Sequence, residues 1–214
     1  MNFVNYTLNN NFITIKFNDN YKEIINSLIK TKILNGVTIT DNYHTIIFNG
    51  NSIEKFDIKQ FPQFEIKMKC IYDLCNQISY LITKEKKGLF AFSLNNLFVI
   101  NKSTFIYLPN NDDIYDIDND FINIFIPFSR EKYIKSPELT EIKELPCSIH
   151  FKTIYYSLGC FFIYLLINGT KCIDEIAKYP LTYIKDSYFA ESKIYFFLDR
   201  CIKQEANDRY MIYI

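Results

Sequence analysis

Charge of one sign is what this sequence lacks first: 24 lysines and arginines are cancelled by 24 aspartates and glutamates. No global field draws such a chain to nucleic acid or to an anionic membrane, so neither is expected as a partner. Long apolar runs are missing as well. The longest, Tyr155 to Ile167, is interrupted by Ser157 and Gly159 and falls short of the ~20 residues that a membrane-spanning helix needs, so it reads as a buried helix. Asn5, Asn9, Asn10 and Asn11 occupy the stretch where a secretory signal would need a basic start and an apolar core. An intracellular protein, cytoplasmic or nuclear, is expected. The six cysteines (Cys70, Cys75, Cys147, Cys160, Cys172, Cys201) contain no CxxC pair, and four sit among apolar neighbours, which points to reduced core thiols rather than disulfides or zinc ligands. His44 and His150 have no acidic or cysteine neighbour at metal-ligand spacing, so no metal is expected. Three Asn-x-Ser/Thr sequons are chance matches in an Asn-rich chain.

What is present is apolar and aromatic. Tryptophan is absent, but 20 Phe and 17 Tyr carry the aromatic content, and with 49% apolar residues overall the composition excludes a disordered chain. A length of 214 residues fits one domain with a substantial core. The surplus of Asn, Ile, Lys, Tyr and Phe matches the coding bias of an AT-rich genome, such as that of a large DNA virus or an intracellular parasite.

Local pattern sets the element order. Phe12 to Phe17 has the β-branched and aromatic content of a strand, and one or two strands open the chain. Ile24, Ile25, Leu28, Ile29 and Ile33 recur at helical spacing between Tyr21 and Leu34. Val37 to Thr40 and His44 to Phe48 read as short strands. Phe64, Met68, Ile71, Leu74, Cys75, Ile78, Leu81 and Ile82 keep one apolar face, predicting a long helix from about Gln63 to Lys84. Leu97 to Ile100 and Thr104 to Leu108 form a strand pair around Asn101-Lys102-Ser103, and an extended segment runs on to about Leu145. Helices follow near 153–167, 173–178 and 192–203.

Four stretches carry a resemblance. Leu89-Phe90-Ala91 through Asn96 resembles the catalytic loop H-R-D-L-x-x-x-N of protein kinases, with only Asn96 kept. Ser136-Pro137-Glu138 looks like the A-P-E that closes the activation segment. Tyr156-Ser157-Leu158-Gly159-Cys160 is similar to the family's W-S-L-G-C helix, with Ile154 where an Asp usually begins the motif. Phe197 to Arg209 looks like the stretch ending in the arginine that pairs with the A-P-E glutamate. The resemblance to protein kinases therefore implies an α+β fold, with a reduced N-terminal sheet-plus-helix lobe over residues 1–60 and a mainly helical C-lobe over 61–214. It also implies a buried Glu138–Arg209 ion pair.

The chemistry of that family is not expected to survive. Kinases need a glycine-rich cover over the phosphates, a lysine, a catalytic aspartate and a magnesium-binding aspartate. The first glycine here is Gly36, past the first helix, so no G-x-G-x-x-G precedes it. Ala91 stands where the proton acceptor would be, and an alanine cannot act as a general base. Family spacing from Asn96 puts the D-F-G position on Pro109-Asn110-Asn111, which offers no carboxylate. A rival register reads Asp120-Phe121-Ile122 as D-F-G and would restore a metal ligand. Ile13-Thr14-Ile15-Lys16 resembles V-A-I-K, but the helix that follows offers only Glu23, in its first turn. The acidic run Asp112, Asp113, Asp116, Asp118 and Asp120 lacks the glycine and glutamate of a calcium loop and reads as a solvated loop.

The expectation is a pseudokinase without cofactor or metal, working by binding a protein such as a kinase or a kinase substrate. One alternative is an atypical nucleotide-binding kinase built on Lys16, Asn96 and Asp120. Another is a structural subunit of a larger assembly, which would display an exposed apolar patch.

Overall fold

The computed structural model describes residues 5–9, 11–185 and 187–212. The chain is mixed α+β with small antiparallel sheets, and its segments sort into two compact units. The first comprises residues 1–56, 68–87 and 95–112, the second 57–67, 88–94 and 113–214. A single cut at residue 60 does not describe this partition, because the long helix and the strand pair that follow that point cluster with the N-terminal sheet.

In the first unit, strands β1 (Asn5–Asn9), β2 (Phe12–Lys16), β3 (Thr38–Thr40) and β4 (Thr45–Asn49) form an antiparallel sheet in the order β1-β2-β4-β3, with helix α1 (Lys22–Lys30) between β2 and β3 in sequence. Ile13, Ile15, Ile46 and Phe48 lie on one face by register and are buried, as are Ile24, Ile25 and Leu28 of α1. These residues supply the period-2 and period-3.6 patterns that made the elements legible. The Tyr21 hydroxyl, just ahead of α1, donates to the Pro109 carbonyl.

Strand β5 (Ile53–Lys55) joins β7 (Leu97–Ile100) and β8 (Thr104–Tyr107) in a second antiparallel sheet. Its outer edge is closed by a helix. From α2 (Phe64–Tyr80), Asp73 accepts from the Phe105 N–H at 3.1 Å. Gln77 accepts from the Tyr107 N–H at 3.0 Å and donates to the Tyr107 carbonyl at 2.7 Å. Two polar side chains one helical turn apart thus replace a missing strand, which explains polar residues buried on an otherwise apolar helix face. Burial raises the Asp73 carboxyl above its ordinary value, against the bonds from Lys69 and the Phe105 amide, which favour the ionised form.

The second unit is built on α4 (Thr153–Leu166), buried along nearly its whole length. Around it lie α3 (Pro137–Glu141), α5 (Ile173–Lys178), α6 (Pro180–Lys185) and α7 (Lys193–Cys201). Two strand pairs complete it, β6 (Lys87–Leu89) with β9 (Ile114–Asp116) and β10 (Phe121–Ile124) with β11 (Cys147–His150). A Cβ on Gly159 would lie 2.7 Å from Ile202 Cγ2 and 2.9 Å from Cys201 Cβ, so glycine is what lets α4 approach the end of α7. The extended segment expected before Leu145 instead contains β9, β10 and α3. Nor is the acidic run uniformly solvated: Asp113 is buried and accepts from the Tyr133 hydroxyl at 2.7 Å.

Among the described residues no helix is long and apolar enough to cross a membrane. All six cysteines are free thiols; Cys70, Cys75, Cys160 and Cys201 are buried, Cys147 is half-buried and Cys172 is exposed.

Candidate functional site

The polar centre of the second unit is Arg209, fully buried. Its Nη2 lies 2.6 Å from Glu138 Oε1 and its Nη1 3.1 Å from Glu138 Oε2, a two-pronged pair between residues 71 apart in sequence. The other N–H groups are also engaged. Nε donates to the Lys203 carbonyl at 2.7 Å, Nη2 to the Gln204 carbonyl at 2.7 Å, and Nη1 reaches the Lys152 carbonyl at 3.5 Å. The Tyr156 ring lies 5.0 Å from the guanidinium carbon. All five donors of the fork have acceptors, which is the condition under which a buried cation is tolerated.

Local sequence builds the glutamate's side of this node. Ser136 caps α3, its hydroxyl accepting from the Leu139 N–H at 3.3 Å, and Pro137 takes the first helical position, where a missing N–H costs nothing. That places Glu138 in the first turn. Ser136 Oγ and Thr153 Oγ1 lie 2.5 Å apart, and the Thr153 hydroxyl reaches Glu138 Oε2 at 3.4 Å. Ser157 donates to the Ile134 carbonyl at 2.8 Å, fixing the segment before α3 onto α4. Ser136, Glu138, Ser157 and Arg209 are thus held by side-chain bonds within the second unit, Pro137 opens α3 and Gly159 lets α4 approach α7, and the expected Glu138–Arg209 pair is formed.

The segment read as a catalytic loop has the opposite character. Leu89, Phe90, Ala91 and Phe92 are 2%, 0%, 1% and 0% exposed. Phe90 and Ala91 sit in a cluster with Ile122, Ile124, Tyr133, Leu139 and Ile149, and the Phe90 ring centroid lies 4.6 Å from that of Phe128 and 4.7 Å from that of Tyr133. Ile134 N–H donates to the Phe92 carbonyl at 2.9 Å, closing the segment against the chain ahead of α3.

The remaining expected positions fall in both units. Lys16 is exposed at the end of β2, and Asn96 is half-buried with its carbonyl accepting from the Leu108 N–H at 2.9 Å. Both belong to the first unit, as does Pro109, whereas Asp120 belongs to the second. Asp120 is exposed at a hairpin tip: Asn119 and Asp120 have φ of 47° and 68°, and Asp118 and Phe121 exchange backbone bonds of 2.9 and 2.8 Å. Asn and Asp are residues that tolerate this left-handed turn, so turn chemistry accounts for the Asp-Phe pair that resembled D-F-G.

No family model matches this chain, and no curated protein does.

Among the described residues, two cavities are lined wholly by residues of the second unit. One, of about 490 Å³, is lined by Lys135, Pro137, Thr140, Glu141, Tyr156 and Lys178 among others. The other, of about 410 Å³, lies between Phe121, Glu141, His150 and Glu205. Their hydroxyls are committed: Tyr156 donates to the Ala177 carbonyl at 2.9 Å and Thr140 to the Pro137 carbonyl at 2.7 Å. Burial, followed by the Lys152 charge, holds the His150 imidazole below its usual value, and its Nδ1 accepts from the Lys152 N–H at 3.1 Å. Burial pushes the Cys201 thiol up to about 12 and raises Cys160 as well, so neither supplies a thiolate nucleophile. Among the described residues no group of three His, Cys, Asp or Glu could hold a metal. Sequence reading missed both cavities, because each is lined from several separate segments with no local signature.

Proposed function

We propose that this protein is a catalytically inactive, kinase-like module that works by binding another protein, a kinase or a kinase substrate, rather than by transferring phosphate. The observation that carries this reading is the burial of Leu89 to Phe92 in hydrocarbon and aromatic rings. A catalytic loop must present a carboxylate to a substrate hydroxyl at hydrogen-bonding distance. Ala91 offers no such group, and the side chains packed around it leave no room for a hydroxyl. The Glu138–Arg209 pair supports the alignment that assigns Ala91 this position, since it joins the two residues that the resemblance requires to meet. The 490 Å³ cavity beside Ser136-Pro137 gives a partner segment a concave surface bordered by both charge signs.

The test is a thermal-shift titration of the purified chain with ATP, with and without Mg²⁺, because a ligand that binds only the folded state raises its melting temperature. No shift at millimolar nucleotide is the expected result. A magnesium-dependent shift that disappears on Asp120→Ala overturns the reading and makes phosphotransfer the next assay.

A further inference from the structure

The four-stranded sheet of the first unit ends on β1, every described residue of which is exposed. Its hydrogen-bonding phase follows from its neighbours. Phe17 N–H donates to the His44 carbonyl at 2.8 Å and Gly50 N–H to the Asn11 carbonyl at 2.9 Å, so the backbone groups of the odd-numbered residues of β2 face β4. Those of Phe12, Thr14 and Lys16 must then face β1, where they meet Asn9, Thr7 and Asn5. The N–H and C=O of Tyr6 and Leu8 are left pointing out of the sheet along its open edge.

The usual devices that blunt an edge are missing from this one. Asn5-Tyr6-Thr7-Leu8-Asn9 has no charge, no proline and no bulge. Its two large side chains stand 44% and 51% exposed on the face that also carries Ile13 and Ile15. The strand also reads alike in both directions about Thr7: asparagine at each end, a large side chain at each inner position and threonine at the centre. A two-fold axis through Thr7 pairs Tyr6 with Leu8 of a second copy as hydrogen-bonded partners. It brings Asn5 opposite Asn9, with no like charges opposed anywhere.

We propose that β1 is a self-pairing edge, through which two copies of this chain join their four-stranded sheets antiparallel, with Thr7 facing Thr7 across the axis. The phase set out above makes the outward-facing Tyr6–Leu8 pairs exchange four backbone hydrogen bonds and extends the apolar face of each sheet across the junction. A five-residue contact is smaller than the ~800 Å² per partner of a standard interface, so the dimer forms in a concentration-dependent way. A second copy is favoured over a foreign strand because the register and the sequence symmetry share one centre. The inference is independent of the functional reading of the second unit.

Sedimentation equilibrium over micromolar to millimolar protein is expected to show a monomer–dimer equilibrium. Leu8→Pro removes only an edge-facing N–H, and should give a monomer whose melting temperature matches that of the dilute parent. In a Cys172→Ser background, Thr7→Cys is expected to form a covalent dimer on mild oxidation, because central side chains of a non-hydrogen-bonded pair approach closely, whereas Asn9→Cys is not. A chain monomeric at every concentration, a dimer that survives Leu8→Pro, or crosslinking through Asn9→Cys in preference to Thr7→Cys would each overturn the proposal. The cysteine pair keeps the test decisive if the proline variant fails to fold.

Discussion

Replacing Glu138 by alanine removes two of the acceptors around a guanidinium that has no access to water. The Lys152, Lys203 and Gln204 carbonyls remain, but no negative charge does, and an uncompensated buried cation costs about 3–5 kcal/mol. For a chain of this size 1 kcal/mol corresponds to about 2–4 °C, so the melting temperature should fall by about 6–20 °C. Arg209→Met should destabilise by a comparable amount, since it strands a carboxylate that is only 20% exposed. The diagnostic quantity is the coupling: Glu138→Ala with Arg209→Met should cost clearly less than the sum of the single changes, because the double variant leaves neither charge alone. Differential scanning calorimetry is the right assay, since two compact units can melt in separate steps and only the transition of the second unit should move. Strict additivity, or a shift of under about 2 °C for Glu138→Ala, would refute the claim that this pair holds the second unit together.

Three further outcomes follow from the packing. Ala91→Asp, which places a carboxylate where the resemblance puts the catalytic aspartate, should destabilise by about 4 kcal/mol or more without creating phosphotransfer, as read by melting temperature and an ATPase assay; a stable, active variant would contradict the buried position. Gly159→Ala should cost about 1–3 kcal/mol in chemical denaturation despite alanine's higher helix propensity, because its Cβ meets Ile202 and Cys201 below 3.0 Å. Asp73→Asn keeps the acceptor for the Phe105 amide and removes a carboxylate whose folded-state value lies above the unfolded one. The aspartate thus weakens the fold as pH rises through that interval, and the variant's advantage in melting temperature should be largest at neutral pH and shrink on acidification. An advantage that grows on acidification would mean that the Lys69 pair outweighs desolvation.

What could be read from the sequence was what repeats within a few residues. The 3.6-residue pattern from Ile24 to Leu28 and from Met68 to Ile82 gave α1 and α2, and the long apolar run, interrupted only by Ser157 and Gly159, gave α4. Two short apolar runs on either side of Asn101-Lys102-Ser103 gave the β7–β8 hairpin, whose turn residues Asn101 and Lys102 have φ of 50° and 59°. Strands β5, β9, β10 and β11 escaped because they are three or four residues long and each pairs with a strand far off in sequence, so no local period marks them. Asp113 could not be singled out from the acids around it, since its burial depends on Tyr133, twenty residues on. The Glu138–Arg209 contact was reachable only through resemblance; composition and spacing alone leave two charges 71 residues apart unrelated.

The distribution of polarity within the second unit bears on what it can do. Catalysis by a kinase-type site needs a polar, water-accessible loop held by a dry scaffold, because the transferring group must reach a carboxylate and its counter-ions. Here the order is inverted. Ionic and hydroxyl groups are concentrated at Ser136, Glu138, Thr153, Ser157 and Arg209, where they clamp α3 and the chain after α7 to α4, and every one of them is engaged with another protein atom. The loop from Leu89 to Phe92 is the part filled with hydrocarbon. A clamp of this kind fixes the backbone geometry beside the surface around Lys135, Pro137 and Lys178. Under the binding reading proposed above, a surface already ordered in the free protein loses less entropy on association.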